Sequence, residues 1–168
     1  MPTTSGWAQL TLTARQIHTW TAADSVPLPS RWWQSAHRVA FRLPPLEKGV
    51  PVCRRLVRAW LDARQVCDRE SRHALLLIAS EFLANAIRHS VSTWITCRLW
   101  SSGDLLFVEV ADQGGAASVP RMRRPGVTSE HGRGLALATG SAREWGWLRT
   151  DGGCAVWAAV SFTPGWGS

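Results

Sequence analysis

Apolar and polar positions alternate from Arg38 to Leu43, then fall into helical spacing at Val52, Leu56, Val57, Trp60 and Leu61. A period of two marks a half-buried strand and a period near 3.6 an amphipathic helix, so a strand gives way to a helix here. Pro51 suits the first helical turn, where its missing N–H is not needed. Arg54, Arg55 and Arg58 are expected on the wet face of this helix. Asp68 or Ser71 can cap a second helix running to about His89, with Leu75, Ile78, Ala79, Phe82 and Ala86 along one side. Thr93 to Trp100 alternates and reads as a strand, and Ser101 to Asp104 turns it into a second strand, Leu105 to Ala111. A loop rich in Gly, Pro and Arg follows from Gln113 to about Gly132, and a loop that long inside a compact domain usually carries function. Leu135 to Ala142 is expected as a short helix. Trp145 to Arg149 and Ala155 to Phe162 are expected as a last strand pair joined by a turn at Asp151-Gly152-Gly153.

The order strand, helix, helix, strand, strand, loop, helix, strand, strand predicts an α+β fold. Short turns pair strands antiparallel, and helices gathered on one face of such a sheet make a two-layer sandwich on a mixed, mostly antiparallel sheet. At 168 residues the chain suits one domain, expected over residues 37–163. Residues 1–36 read poorly: Val26-Pro27-Leu28-Pro29 breaks any helix, and the segment is expected as an N-terminal extension, ordered in part at best. Residues 164–168 are expected as a tail.

Composition narrows the function. The chain is 45% hydrophobic and 18% charged, which excludes a disordered protein. Its net charge of +7 favours anionic partners. Yet no run of five like charges occurs, and Lys48 is the only lysine, so the excess reads as a solvated arginine surface and no nucleic-acid partner is expected. Cys53, Cys67, Cys97 and Cys154 lack metal-ligand spacing and are expected as reduced packing residues. Most of the eleven Trp are expected in the core, with Trp32 and Trp33 as an alternative exposed, adhesive surface. Neither a signal peptide nor an apolar run long enough to span a bilayer is visible, so a cytoplasmic protein without membrane contact is expected.

Glu81, Asn85 and His89 recur at steps of four and share one face of the second helix. Taken alone, such a stripe is ordinary on a surface helix. Its chemistry also suits a metal–nucleotide site: the Asn85 carbonyl is an oxygen ligand of the kind Mg²⁺ takes. Glu81 is placed to accept a proton from an attacking hydroxyl. Asp112-Gln113-Gly114 closes a strand with Asp-x-Gly, where a plain turn would also fit. There Asp can accept a hydrogen bond from an adenine amino group while Gly lets backbone approach the base. His131-Gly132-Arg133-Gly134-Leu135 precedes a helix, whose free N–H groups would seat phosphates, although a Gly-x-Gly alone is weak.

Together these pieces resemble the GHKL ATPase superfamily over about residues 38–162. Ser80 to His89 is similar to its N-box, Asp112 to Gly114 to its first glycine box, and Gly132 to Leu135 to its second. The C-terminal strand pair, Trp145-Gly146-Trp147 with Gly152 to Trp157, is also similar. The resemblance implies a Bergerat-type ATP-binding fold with ATP and Mg²⁺ as cofactors. Glu81 would be the catalytic base and Asn85 the metal ligand. Asn85, His89, Asp112, Gly114, Gly132, Arg133, Gly134 and Leu135 would bind the nucleotide, and the intervening loop, with Arg121, Arg123 and Arg124, would form its lid. Two positions depart: Ala116 stands where a further glycine is usual, and Cys154 where Thr or Lys is frequent.

The version of these motifs looks most like the anti-sigma-factor serine/threonine kinases of actinobacteria. That group implies a sigma factor and an antagonist protein as partners, with a homodimer left open. An autophosphorylating histidine kinase would need a long helical hairpin, and residues 1–37, with His18 and His37, are too short and proline-broken to supply one. Room for a gyrase-like transducer is not expected either. A non-catalytic ATP-binding interaction module stays as the alternative.

Overall fold

The structure, a computed structural model, describes residues 6–22, 31, 33, 36–114 and 130–164. Six strands run β1 (Ala8–Thr11), β2 (Arg38–Leu43), β3 (Ile95–Ser102), β4 (Leu105–Ala111), β5 (Glu144–Thr150) and β6 (Gly153–Ser161). Among the described residues these strands are accompanied by the helices α1 (Ala14–Ala22), α2 (Gly49–Ala63), α3 (Arg69–His89) and α4 (Glu130–Gly140). The sheet order is β1-β2-β3-β4-β6-β5. Among the described residues β1 and β2 alone pair in parallel, and the other pairs are antiparallel. This is the expected α+β sandwich.

Alternation along β3 and β4 sorts the two faces. Cys97, Leu99, Leu106 and Val108 are fully buried beneath α3, while Arg98, Trp100, Phe107 and Glu109 lie on the opposite face. That outer face is held by an Arg98–Glu109 ion pair at 2.5 Å and by Trp100 stacked on Phe107, ring centroids 4.9 Å apart. α2 packs on α3, and α3 crosses β3, β4 and β6. Val52, Cys53, Leu56, Val57, Trp60 and Leu61 fill the space between helix and sheet, as their spacing requires.

Asp68 caps α3: its side chain accepts from the Glu70 N–H at 3.1 Å. The Ser71 hydroxyl lies between Asp68 and the Ser161 carbonyl, 2.7 Å away, and so ties the start of α3 to the end of β6. The helix therefore runs at a fixed angle over the sheet for roughly 32 Å, carrying Glu81 and Asn85 to the sheet's far end.

Several expectations change. Within the segment 1–36, expected to be ordered in part at best, residues 6–22 carry β1 and α1. β1 extends the sheet, and Ala8, Leu12, Ile17 and Trp20 join the core. Four residues of edge strand and nine of helix are too short to announce themselves by periodicity, and burial against β2 and α2 supplies what propensity lacks. Trp33 is 1% exposed, its indole N–H directed at the Ala40 carbonyl, so it is core and not adhesive surface; Trp32 lies outside the described residues. Arg55 is half-buried and donates to the Trp20 carbonyl at 3.0 Å, which makes it a clasp on α1 and not a solvated charge. Cys67 is exposed, whereas Cys53, Cys97 and Cys154 are buried as expected. α2 begins at Gly49, ahead of Pro51, and α4 spans Glu130–Gly140, earlier at both ends than the expected 135–142. Among the described residues no helix is long and apolar enough to cross a membrane.

Candidate nucleotide site

Glu81 and Asn85 lie one turn apart on α3 and both are half-buried; His89 ends the helix and is exposed. α4 packs against α3 at this level. The closeness is specific: a methyl group on Gly134 would lie 2.5 Å from Glu81 Oε2 and 2.8 Å from Cδ. Glycine at 134 is therefore what lets α4 come down on the Glu81 carboxylate. Leu135, the next residue, packs on the core and anchors the helix there.

Because α4 starts at Glu130, Gly132 to Leu135 lie inside its first turns and not ahead of them. The N–H groups that open a helix have no intrahelical acceptor, and that of Gly132, in the first turn, falls among them, whereas Arg133 donates the first i→i−4 bond. The side chain of Arg133 lies outside the described residues, as do Ala116, Arg121, Arg123, Arg124 and the rest of 115–129.

Asp112 follows β4 directly and is half-buried. Its N–H donates to the Cys154 carbonyl at 2.9 Å. Its Oδ1 accepts from Gly114 N–H at 2.9 Å and from Cys154 N–H at 3.2 Å. These bonds fix the carboxylate and leave Oδ2 to accept from a ligand. Gly153 makes the arrangement possible, since a methyl group there would overlap the Asp112 carbonyl and sit 2.8 Å from Oδ1. Gly114 is buried beside it. Cys154 is 4% exposed; burial first, and then the neighbouring Asp112 charge, push its thiol up from the usual range.

A clasp joins the two halves of the site. The Gln113 N–H donates to Ser92 Oγ at 2.8 Å, and the Gln113 side chain accepts from the Trp94 N–H at 3.2 Å. The segment after Asp112 is thus pinned to the exit of α3. Sequence reasoning passed over Ser92 and Gln113, and took Gly153 for a turn residue. A second glycine, the first residue of β6, was the visible signal, but only the packing of β6 beside the end of β4 shows what it faces.

The helix α3 thus supplies a carboxylate and an amide, α4 a first turn close to that carboxylate, and the β4–β6 pair a fixed Asp. That donor set fits a magnesium nucleotide: oxygens for the metal, amides for phosphates and a carboxylate for an exocyclic amine. Among the described residues no cluster of three His, Cys, Asp or Glu could hold a metal alone.

Residues 43–160 match the profile of the histidine kinase-like ATPase domain, and the chain belongs to that family. In fold it is similar to the RsbU and RsbW domains of Rv1364c from Mycobacterium tuberculosis, with a TM-score of 0.56 at 18% identity. That match covers 82% of this chain and 33% of the other, so this chain spans about a third of that neighbour's length. The histidine kinase domain of the blue-light activated histidine kinase from Erythrobacter litoralis EL346 aligns with a TM-score of 0.46 at 17% identity, over 88% of this chain and 70% of that one. No curated protein matches the chain in sequence.

Proposed function

We propose that this protein binds Mg²⁺–ATP and acts as an anti-sigma-factor-type serine/threonine kinase, phosphorylating an antagonist protein and sequestering a sigma factor. The observation that carries the reading is the placement of the Glu81 carboxylate under the first turns of α4 at Gly134. A base held against a phosphate seat suits phosphoryl transfer and has no evident purpose in a purely structural helix pair. Membership of the histidine kinase-like ATPase family supports the nucleotide; the motif version in Ser80 to His89 supports the kinase group.

ATP would supply the phosphoryl group. Asn85 would lend its carbonyl oxygen to the metal, and the Gly132 amide would bind a phosphate oxygen. Asp112 would accept from adenine at Oδ2. His89, exposed at the end of α3, would meet the nucleotide from the rim. Glu81 would take the proton of the acceptor serine or threonine at a carboxylate oxygen, sharpening the nucleophile as the transfer proceeds.

Isothermal titration with Mg²⁺–ATP tests the site: Asn85→Ala is expected to weaken binding markedly. Transfer of label from γ-labelled ATP to proteins captured from the host extract tests the chemistry. Glu81→Ala is expected to retain nucleotide and lose transfer; undiminished transfer would refute the role of Glu81. Tight ATP retention with no phosphoprotein would favour a non-catalytic module, a reading supported by Cys154 at the adenine end of the site.

A further inference from the structure

The β3–β4 ladder ends where Thr96 faces Ala111. Carried one step further along both strands, it would set Trp94 opposite Gln113, and a regular antiparallel pair exchanges its N–H groups with backbone carbonyls. Here both N–H groups still find acceptors across the gap, but on side chains. The Trp94 N–H donates to Gln113 Oε1 at 3.2 Å, and the Gln113 N–H donates to Ser92 Oγ at 2.8 Å. On the other side of β4, Asp112 closes the ladder to β6 in a similar way. Its N–H donates to the Cys154 carbonyl, and its own carboxylate accepts from the Cys154 N–H. The end of β4 is therefore held from both neighbouring strands by side chains. Ser92 is buried and Trp94 half-buried. Trp94 is itself secured from outside: the Arg42 guanidinium lies over its ring, 4.9 Å from the centroid, and Arg42 Nε donates to Thr11 Oγ1 at 3.0 Å.

We propose that Gln113 and Ser92 are positioning residues that set the site's choice of base, a reading that rests on the nucleotide binding proposed above. Neither residue has to touch the ligand. Asp112 commits Oδ1 to the Gly114 and Cys154 N–H groups and turns Oδ2 to the ligand. An ionised carboxylate only accepts hydrogen bonds. It pairs with the exocyclic amine of adenine, whereas the carbonyl oxygen of hypoxanthine in the same place sets acceptor against acceptor. That discrimination depends on where Oδ2 points, and a recognition group must be held to within about 0.5 Å to exert it. The bonds of Asp112 itself run to Cys154 and to Gly114, so by themselves they leave the end of β4 free to pivot about its contacts with β6. Gln113 removes that freedom. Its N–H and its side chain bracket the stretch Ser92 to Trp94, which leads from α3 into β3, and so keep Asp112 in register with both neighbouring strands. Because Arg42 and Thr11 secure Trp94, the stretch that Gln113 grips does not drift with it.

Isothermal titration of the full chain with Mg²⁺–ATP and, separately, with Mg²⁺–ITP tests this, since inosine lacks the amine. The wild type is expected to bind ATP roughly 10- to 100-fold more tightly than ITP, the worth of one hydrogen bond to a charged group. Gln113→Met keeps the length of the side chain and has no oxygen to accept from the Trp94 N–H. It is expected to narrow the ATP-to-ITP ratio about 5-fold, the net worth of an ordinary hydrogen bond, with ITP affinity and circular dichroism unchanged. Gln113→Glu retains an acceptor and is expected to restore the ratio. Ser92→Ala, which removes the acceptor of the Gln113 N–H, is expected to narrow it as Gln113→Met does. Wild-type selectivity in Gln113→Met overturns the proposal for Gln113, and in Ser92→Ala it overturns the proposal for Ser92. Equal weakening of both nucleotides marks damage to the fold instead of misdirection of Asp112, and overturns it as well. A wild type that binds ATP and ITP alike strikes deeper: it refutes the role of Asp112 in reading the base, and the clasp falls with it.

Discussion

Replacing Gly134 with Ala separates the positioning of Glu81 from the stability of the fold. The new methyl would lie 2.5 Å from Glu81 Oε2 and 3.0 Å from Oε1. Ordinary contact needs ~3.5 Å, so the carboxylate must retreat by about 1 Å. It is the far end of a flexible side chain, and it can do so without disturbing the backbone. Meanwhile Ala within a helix is favoured over Gly by about 1 kcal/mol. The variant is therefore expected to melt no lower than wild type. Misplacing a catalytic group by 1 Å can cost roughly 100-fold, or about 2.7 kcal/mol of transition-state stabilisation. Single-turnover consumption of γ-labelled ATP in the presence of the acceptor reads that loss. Gly140→Ala is the control, because a methyl group there meets nothing within 4 Å; it should leave the rate unchanged. Wild-type turnover by a stable Gly134→Ala protein would refute the argument that this glycine exists to place Glu81.

Gly153→Ala meets backbone at the Asp112 carbonyl, which cannot swing away; overpacking of this kind costs about 1–3 kcal/mol, and urea unfolding together with weakened ATP binding should register it. Asp68 holds its carboxyl below the usual range through the Ser71 hydroxyl and the Glu70 amide. Since its folded pKa is depressed, the stabilisation is present above the unfolded value of ~3.9 and is lost as pH falls through the folded one. Asp68→Ala should thus lower Tm at pH 7, with the gap to wild type closing as the medium becomes more acid than pH 4. With Cys53, Cys97 and Cys154 buried and Cys67 exposed, a thiol reagent should find one fast-reacting cysteine in the native protein. Cys97 should be slow above all, its pKa raised well beyond the ordinary value by the Cys53 thiol and by burial. Loss of the fast phase in Cys67→Ser would check the assignment.

The spacing of apolar residues was enough to place β2, α2, α3 and the β3–β4 hairpin, because each has a strong period and a turn or cap that ends it: Asp68 before α3, Gly103-Asp104 between the strands. The alignment of Glu81, Asn85 and His89 on α3 was legible for the same reason, since residues four apart share a face once a helix is granted. What one-dimensional pattern could not give was distance between elements. That Gly134 touches Glu81, that Gly153 clears space for Asp112, and that Ser92 clasps Gln113 depend on how α4 settles on α3 and on the β4–β6 register. Arg55 and Trp33 were misjudged alike, as polar surface and as exposed aromatic. Their burial is decided by contacts between elements: α1, which periodicity missed, supplies the Trp20 carbonyl to Arg55, and β2 supplies the Ala40 carbonyl to Trp33. Periodicity reports which face of an element is apolar; contacts between elements far apart in the chain, which fix the site, arise only when those faces are pressed together and the glycines permit the approach.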